Sequence, residues 1–599
     1  MPRVTEYVMA HRRTTFALLF LCLSVLSWAE DVTLRFTVWD GDESLKILRA
    51  LCRDFEKENP GIKVKLENFS DYNLYHQKML VQYAGNTAPD VAMMDMGHFQ
   101  ALANRKAILP LNDFFAKTPG FDIKEFYKPI VDAHSLNGVC YVLPRDIAPQ
   151  GLIYYNKKIF MEKGIPFPDG SWTWDFQVRP ELKEKDFLWV MQQLTEKGAD
   201  GKVKRYGFVA GWPGQMVDTL MWSYGLDPVD DYAHPTKLFY NLPDMIKVYE
   251  FYMDLALKKK WIPSNQEVSS VLQSTTQQLF VQEKVAMFQN GIWEVPNMRK
   301  MLKPGSKGFF EWDIALYPAC ARDVTGKPRR AFPTGGSGYS IFSTTPHPEE
   351  AWKLVKFMSG PAGMTAMAKA GIAQPAIRKL ALTPDVWLPG PNTPLEQMYP
   401  ANRKATDEAV PFVKFDVTAE YWPEVTSLIN GRRDSVYNGL MTPKEALTKA
   451  TNEGQLRMDQ LLREENLPPF PWPLGIAGAV IIIGLALAAI YWPERKVKYT
   501  SRQKKESRAA YKFLSPWLIG FTVFVLGPMV LSLLMSTMNW DMIREAQWRG
   551  GGNFREAFTE DPRFWTSLRV TTTFALVGTP IGILFALLLA LLLNQKVRG

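Results

Sequence analysis

Short runs of alternating apolar and polar residues occur near the N-terminus, separated by stretches with helical spacing. Residues 32–38 and 62–66 alternate as half-buried strands do, and apolar residues recur at helical intervals over 48–55 between them. A polar helix around 74–83 then precedes a short apolar strand at 89–94. This β-α-β-α-β order predicts an α/β fold that binds ligands beyond the carboxyl ends of its strands.

The last quarter of the chain follows a different pattern. Residues 474–491, 513–538 and 570–593 are uncharged runs of 18, 26 and 24 residues. Trp472 and Trp492 bracket the first run, as aromatic residues do at the two faces of a membrane. Runs of this length predict three membrane-spanning helices.

Charge orients these helices. Eight Lys or Arg face two acids over 494–512, and Lys596 and Arg598 follow the third run, so both segments are predicted to be cytoplasmic. Residues 30–470 then lie outside. Once these flanks and the N-terminal segment are set aside, the overall +9 charge leaves −1 for 30–470, which excludes a nucleic-acid-binding groove.

The N-terminus has the three parts of an export signal. Arg12 and Arg13 end a positive region, residues 16–26 are apolar, and Ser27-Trp28-Ala29 offers a small-x-small cleavage site. Cleavage after Ala29 is the prediction, and retention as an uncleaved anchor is the alternative. An export signal sends the following residues across the membrane. This agrees with the position outside the membrane that the charged flanks of the helices predict for 30–470.

Cysteine is scarce beyond the signal. Cys52, Cys140 and Cys320 show no CxxC pair and no metal-ligand spacing, so either one disulfide or three buried thiols fits. The histidines include no HExxH, and no phosphate-binding G-x₄-GK[ST] loop occurs. We therefore expect no metal, no cofactor and no enzyme activity.

Several segments resemble family 1 extracellular solute-binding proteins of carbohydrate ABC importers, over nearly all of 30–465. The segments that carry this resemblance are VTLRFTVWDGDES, APDVAMMD, GVCYVLPRD, LIYYNKKIFMEKGIPFP, SWTWDF, FVQEKVAMFQNGIW, FPTGGSGYSIF and MTPKEALTKATNEGQL. The resemblance implies a type II periplasmic binding fold of two lobes, with Tyr154–Asn156 crossing between the lobes. It also implies that Gly335 and Gly336 belong to a binding loop of the second lobe.

The C-terminal part resembles the first two helices of a maltose/glycerol-phosphate-type permease, in the segments YKFLSPWLIGFTVFVLGPMVLSLLMSTMNWD and FWTSLRVTTTFALVGTPIGILFALLLALLLNQKVRG. That resemblance implies an ATPase and a second permease subunit supplied in trans. Such permeases continue for several more helices, so we expect the sequence to be a fragment of a longer fusion, with a truncated product as the alternative.

The predicted organisation joins an α/β domain to all-α transmembrane helices in the cytoplasmic membrane. Its parts are a signal peptide at 1–29, a solute-binding domain at 30–465, a Pro-rich linker at 466–473, a tether helix at 474–492, a basic cytoplasmic loop at 493–512 and permease helices at 513–599.

A carbohydrate needs flat aromatic surfaces for its C–H faces and fixed polar groups for its hydroxyls. Trp residues in predicted loops beside polar partners meet this need, although a single Trp more often packs in a core. The candidate ligand-binding residues are Trp39, Asp40, Asp95, Trp212, Trp222, Asn290, Trp293, Gly335, Gly336 and Tyr339.

Two alternatives remain open. Asp40, Asp42 and Glu43 lie in one loop and, with nearby aromatic residues, also suggest a glycoside hydrolase. Acids this close in sequence do not flank a bond, however, and Asp42 and Glu43 suit the start of a helix. The other alternative is a membrane-anchored carbohydrate sensor, whose C-terminal helices serve only as an anchor.

Overall fold

The computed structural model describes residues 31–464, 467–491, 500–540 and 545–594. The predicted signal peptide, the start of the basic loop and the basic tail after residue 594 lie outside these ranges. The chain divides into two compact units, which meet in sequence between Asp459 and Gln460.

The strands of the first unit range from two to eight residues. They are β1 Val32–Val38, β2 Ile62–Asn68, β3 Val91–Asp95, β4 Ser135–Leu136, β5 Val139–Cys140, β6 Leu143–Pro144, β7 Asp146–Pro149, β8 Leu152–Asn156, β9 Thr173–Trp174, β10 Glu196–Lys197, β11 Val203–Ala210, β12 Val285–Asn290, β13 Trp312–Leu316, β14 Ala319–Cys320, β15 Phe332–Gly335, β16 Ser337–Ile341, β17 Gln374–Pro375 and β18 Val413–Lys414.

Helices lie between most of these strands and follow the last one. They are α1 Asp42–Glu58, α2 Tyr72–Ala84, α3 Phe99–Asn104, α4 Asn112–Lys117, α5 Lys128–Ala133, α6 Lys157–Lys163, α7 Phe187–Leu194, α8 Pro213–Ser223, α9 Pro243–Met253, α10 Thr276–Val281, α11 Val295–Met301, α12 Pro348–Met358, α13 Pro361–Lys369, α14 Arg378–Ala381, α15 Lys404–Ala409, α16 Trp422–Tyr437 and α17 Pro443–Glu464. The last helix begins in the first unit and ends in the second.

The first lobe is built on a five-stranded sheet with the order β2-β1-β3-β16-β6. Strands β1, β2 and β3 run parallel, and β16 is antiparallel to β3. The predicted β-α-β-α-β order of residues 32–95 is confirmed. Helix α1 buries Leu48, Leu51, Cys52 and Phe55, the apolar positions that predicted it.

The second lobe has its own five-stranded sheet, in the order β10-β11-β12-β8-β13. Strand β8 lies between β12 and β13 and is antiparallel to both. Every residue of β8, β12 and β13 is buried, which is typical of strands that are covered on both faces. The two sheets together give the two-lobed type II binding fold that the sequence predicted.

Two strands carry the chain between the lobes. Strand β7 links β6 of the first sheet to β8 of the second, and β15 leads back to β16 of the first sheet. They pair antiparallel, with Thr334 opposite Pro149 and Gly335 opposite Ala148. The prediction that Tyr154–Asn156 crosses between the lobes is wrong, because these residues end strand β8 inside the sheet of the second lobe. The crossing comes earlier, in β7.

The three cysteines of the described residues are free and buried. Burial raises the pKa of each thiol to about 12, so each is an inert apolar side chain at neutral pH. Of the two alternatives that the sequence left open, the structure has three buried thiols.

The described part of the second unit is helical apart from one pair of short antiparallel strands. Its described elements are α18 Trp472–Tyr491, α19 Ser501–Phe521, α20 Gly527–Met535, β19 Met538–Asn539, β20 Gln547–Trp548, α21 Gly552–Arg555, α22 Pro562–Thr573 and α23 Thr579–Leu593. A π-helical stretch at Thr522–Leu526 joins α19 to α20, and another at Phe574–Gly578 joins α22 to α23. Pro528 and Pro580 follow these stretches, and the missing N–H of each proline accounts for the wider turn before it.

Two of the described helices are long and apolar enough to cross a membrane, Ser501–Met535 and Arg563–Leu593. In Ser501–Met535, 6% of the most apolar 18-residue window is buried. In Arg563–Leu593, none of the corresponding window is buried. The predicted tether at 474–492 forms the shorter apolar helix α18, and its crossing of a membrane stays a prediction.

Part of the Pro-rich linker pairs with the loop that follows α20. The Phe470 N–H donates to the Ala546 carbonyl at 2.6 Å, and the Trp548 N–H donates to the Pro468 carbonyl at 2.7 Å. The Phe470 ring also packs against Trp472 and Trp548. The end of the linker is therefore held within the second unit and is more ordered than the semi-rigid spacer that its prolines suggest.

Candidate ligand-binding cleft

A cavity of about 1250 Å³ opens between the two lobes of the first unit. Its wall combines the ends of β1 and β3 in the first lobe, the turn before α11 in the second lobe and the crossing strands β7 and β15. Seven of the ten predicted site residues line it: Trp39, Asp40, Asp95, Trp212, Trp293, Gly335 and Gly336. The cavity is large enough for a ligand of several sugar rings.

Three tryptophans on different elements supply aromatic surface. Trp39 follows β1, Trp212 precedes α8 and Trp293 lies between β12 and α11. Trp212 is the most open of the three, with 44% of its surface exposed. Gly291 leaves room for the Trp293 ring, since a Cβ at residue 291 would lie 2.1 Å from that ring. The motif QNGIW thus needs its glycine to seat the tryptophan in the wall.

A buried ion network lies at the level of the crossing strands. Arg145 Nε donates to Asp146 Oδ2 at 2.7 Å, and Arg145 Nη1 donates to Asp40 Oδ2 at 3.0 Å. Asp146 also accepts hydrogen bonds from the Ser337 N–H and hydroxyl. Burial alone would lower the pKa of Arg145, but the facing Tyr339, Asp146 and Asp40 raise it well above its ordinary value. The guanidinium stays charged and fixes the Asp40 carboxylate at the cleft wall.

Asp95 ends β3 and is the centre of a second polar cluster. Its Oδ1 accepts the backbone N–H groups of Gly97 and His98 at 3.0 and 3.1 Å and lies 2.9 Å from His98 Nδ1. Its Oδ2 accepts the Tyr72 hydroxyl and lies 3.5 Å from His76 Nε2. Burial would raise the pKa of Asp95, but the facing imidazoles of His76 and His98 hold it well below its ordinary value. The carboxylate is ionised, and its oxygens are engaged within the protein.

The structure does not bring the other three candidates to the cleft wall. Trp222 is buried in α8, and its Nε1–H donates to the Tyr232 hydroxyl at 2.8 Å. Asn290 is buried at the end of β12, where its side chain accepts the Gly291 N–H at 2.8 Å. Tyr339 lies in β16 with its ring edge-on to Phe36, and burial raises its pKa to about 12.

The glycine loop has a different place from the one predicted. Gly335 ends the crossing strand β15, and Tyr339 belongs to the sheet of the first lobe, so neither is part of the second lobe. A Cβ on Gly336 would lie 2.5 Å from Ile130 Cδ1 and 3.1 Å from the Asp146 carbonyl oxygen. Packing at the crossing therefore requires the glycine, whether or not its amide meets a ligand.

Asp42 and Glu43 begin α1, as expected of acids at a helix N-terminus. Glu43 lies 2.8 Å from Lys46, and the hydrogen bond from this lysine lowers the pKa of Glu43. A glycosidase acid needs a raised pKa and a second carboxyl group across the bond. Glu43 lacks the raised pKa, and the Asp40 carboxylate is held by Arg145.

Sequence reasoning missed Arg145, Tyr72 and His98 as residues of the cleft wall. Arg145 stood inside the quoted segment GVCYVLPRD, but nothing in its spacing from Asp40 showed that the two side chains meet. Tyr72 and His98 lie in polar stretches beside the predicted strands, and only the fold brings them to Asp95. Trp212 also borders a smaller cavity of about 330 Å³, which shares Asp416 and Thr426 with the cleft.

Residues 40–365 match the profile of the bacterial extracellular solute-binding protein family. The chain belongs to this family. The match covers more than half of the chain, including all of the second sheet and most of the first, and confirms the family that the sequence motifs resembled.

Individual relatives match stretches of different length. A putative binding protein of Brucella abortus (strain 2308) is 24% identical over 408 residues, which are 66% of this chain and 86% of that protein. The probable ABC transporter permease protein YesP of Bacillus subtilis (strain 168) is 42% identical over 96 residues. That stretch is 16% of this chain and only 31% of the length of YesP.

Solved structures share the fold. The ABC substrate-binding protein Lmo0181 of Listeria monocytogenes, in complex with cycloalternan, superposes with a TM-score of 0.58 at 21% identity. The superposition covers 72% of this chain and 99% of Lmo0181. Maltose-bound MalE3 of T. maritima superposes with a TM-score of 0.56 at 20% identity, over 71% of this chain and 99% of MalE3.

Proposed function

We propose that the cleft captures a carbohydrate outside the cytoplasmic membrane and delivers it to an ABC-type permease that begins in the same chain. The observation that carries the first half is the meeting of Trp39, Trp212 and Trp293 in one large cavity between two lobes. Aromatic faces against sugar C–H groups, with polar side chains at the edges, are what carbohydrate recognition needs. Lmo0181 and MalE3, which share the fold, are described with cycloalternan and maltose.

The charge of the wall favours a neutral sugar over a glycerol phosphate. Four cationic side chains line the cleft, against six carboxylates: Lys46, Arg49, Arg145 and Lys300 against Asp40, Asp42, Glu43, Asp95, Asp146 and Asp416. The buried cation among them, Arg145, is already paired with Asp40 and Asp146. An anionic ligand would therefore meet a wall with excess negative charge.

The cleft closes, in this proposal, by movement of one lobe against the other about β7 and β15. These strands carry the chain between the lobes and pair with each other, so a small change in their backbone angles reorients the lobes. A ligand that contacts both walls favours the closed form by the extra contacts it makes there.

The test is a thermal-shift screen of the full chain in detergent with neutral mono- and oligosaccharides, polyols and glycerol phosphates. A ligand at about 100 times its Kd adds roughly 2.7 kcal/mol to the stability of the form that binds it. The screen should find a neutral saccharide whose shift is lost in Trp293→Ala and kept in Trp189→Ala, a tryptophan outside the cleft lining. A folded chain that responds to no saccharide would contradict carbohydrate capture.

The delivery half of the proposal draws on the second unit. Its two long apolar helices suit a membrane, and the stretch shared with YesP resembles a permease. An ATPase and a second permease subunit, supplied in trans, would drive and complete the import path. Because capture and permease segments share one chain, docking would depend on effective concentration rather than on diffusion.

Insertion of Gly/Ser residues between 464 and 467 tests this second half, because it lengthens the tether ahead of the segment paired with Ala546 and Trp548. Uptake at low sugar concentration should fall, while sugar binding stays unchanged. An insertion of the same length after Gly326, in an exposed turn, is the control. Undiminished uptake in the tether variant would favour an anchored sensor or a free binding protein.

A further inference from the structure

The cluster around Asp95 contains the ligand atoms of a metal site. His76, Asp95 and His98 each offer a ligand atom, and these atoms all lie within 4.8 Å of one another. The histidines come from α2 and from the turn before α3, and Asp95 ends β3, so three separate segments converge. Their sequence spacing matches no metal motif, which is why the sequence predicted no metal site.

One atom of this cluster lacks a hydrogen-bond partner. His76 is 93% buried, and its Nε2 is among the buried polar atoms without a partner in the described part of the chain. The nearest carboxylate oxygen, Asp95 Oδ2, lies 3.5 Å away, beyond the usual N–H···O distance of about 2.9–3.0 Å. An unsatisfied buried nitrogen aimed at a carboxylate is destabilising unless another group occupies the space.

The separations suit a cation instead. Zinc ligands lie about 2.0–2.2 Å from the metal, so two tetrahedral ligands lie about 3.4 Å from each other. His76 Nε2 is 3.5 Å from Asp95 Oδ2, and the ligand atoms of His76, Asp95 and His98 all lie within 4.8 Å of one another. The Tyr72 hydroxyl donates to Asp95 Oδ2 and would orient the carboxylate without binding the ion. Asp95 Oδ1 stays bound to the N–H groups of Gly97 and His98, which would orient the carboxylate for a metal on Oδ2.

The cluster is accessible from solvent. The His98 side chain is 34% exposed and, like Tyr72 and Asp95, lines the cleft, so an ion can enter from solvent.

We propose that His76, Asp95 and His98 form a Zn²⁺ site in the wall of the cleft, with a fourth position open to the solvent in the cleft. Two imidazoles and a carboxylate are a donor set that zinc accepts and magnesium does not. The parallel His76 and His98 rings are 3.7 Å apart, so zinc binding would require the partly exposed His98 to turn about its side-chain bonds and direct Nδ1 at the ion. Trp39 packs on His76 and Tyr72, so the ion would stiffen one aromatic wall of the cleft.

Calorimetric titration of the full, tag-free chain in detergent with ZnCl₂, after treatment with a chelator, tests the site. We expect one Zn²⁺ per chain, with binding at least tenfold weaker in His98→Ala and unchanged in His234→Ala, an exposed histidine outside the cluster. His98 makes no side-chain cap to α3, so its removal leaves the helix start intact. MgCl₂ at the same concentrations is expected to give no heat of binding.

A spectroscopic probe separates this site from surface binding. Co²⁺ in place of Zn²⁺ should give the visible absorption of a tetrahedral ion in the wild-type chain, and that absorption should disappear in His98→Ala. Equal Zn²⁺ affinity in the wild type and His98→Ala, or no Zn²⁺ binding by the wild type, would overturn the proposal. The titration needs no sugar, so its result is independent of carbohydrate capture.

Discussion

The two units contain apolar side chains in opposite places. In the first unit the large apolar residues lie in the interior: Phe36, Leu48 and Phe55 are completely buried. In the second unit they cover the outside of the long helices, where Phe574 and Leu593 are 74% and 81% exposed. An exposed apolar surface of this size is costly in water and favourable in lipid. The first unit therefore has the interior of a protein folded in water, and the long helices of the second unit have a surface that suits lipid.

The largest expected effect comes from the core of the first unit. Phe36→Ala in β1 removes a buried ring that packs edge-on to Tyr339, and such truncations cost about 3–5 kcal/mol. Leu591→Ala, at a 54% exposed position of α23, should leave the denaturation midpoint of the first unit unchanged. Chemical denaturation followed by near-ultraviolet circular dichroism measures both. Equal shifts of the denaturation midpoint in the two variants would contradict the different placement of apolar side chains in the two units.

A charge on an exposed leucine sharpens the same contrast. Leu584→Asp in α23 places a carboxylate where lipid is expected, at an insertion cost of about 2.5–3.5 kcal/mol near a helix centre. Leu395→Asp in the first unit also replaces an exposed leucine, yet in water it should change stability by less than about 0.5 kcal/mol.

A fluorescent reporter fused to the C-terminus, which folds only in the cytoplasm, measures that insertion. Its signal should fall in Leu584→Asp, because a helix that fails to insert leaves the reporter outside. The Leu395→Asp chain should keep the wild-type signal. If both variants keep it, the helix does not depend on lipid.

The smallest effect is a pH dependence in the first unit. Burial lowers the pKa of His134, whose Nδ1 lies 2.9 Å from the Ile130 carbonyl oxygen. The folded chain therefore keeps His134 neutral at a pH where the unfolded chain protonates it, near 6.5 and below. Protons favour the unfolded state, so stability falls as pH drops from about 7 to about 5.

His134→Gln should flatten that slope by at most about 1.4 kcal/mol per pH unit, the contribution of one proton. His234→Gln, at an exposed position, should keep the wild-type slope. Denaturation curves at several pH values give the comparison. An unchanged slope in His134→Gln would assign the pH dependence to other groups.

The position of a residue in the fold was predictable where the sequence pattern marks the end of a strand. Trp39 and Asp40 follow a strand with clear alternation, and Asp95 ends a short apolar strand. Parallel strand ends meet at one edge of a sheet, so these residues were placed correctly at the cleft. Tyr339 and Asn290 were not, because a strand residue can face either side of its sheet. Nothing in the sequence shows that β16 turns Tyr339 towards Phe36.

Contacts between segments distant in the chain could not be predicted from the sequence. Arg145 and Asp40 are 105 positions apart, and the pairing of β7 with β15 joins segments separated by about 185 residues. His76 and His98 stack although they lie in different elements. Such meetings depend on the topology of the whole sheet, which a local pattern does not specify.

Hydrogen exchange of the full chain in a lipid nanodisc, with and without the saccharide that gives the largest thermal shift, tests the central claim most directly. With the saccharide bound, we expect slower exchange of backbone amides on both walls of the cleft, at residues 39–49 and 291–300, and at the crossing strands β7 and β15. The helices at 513–535 and 570–593 should be protected equally in both states. Protection confined to one lobe, or spread over the membrane helices instead, would contradict capture of a carbohydrate between the lobes.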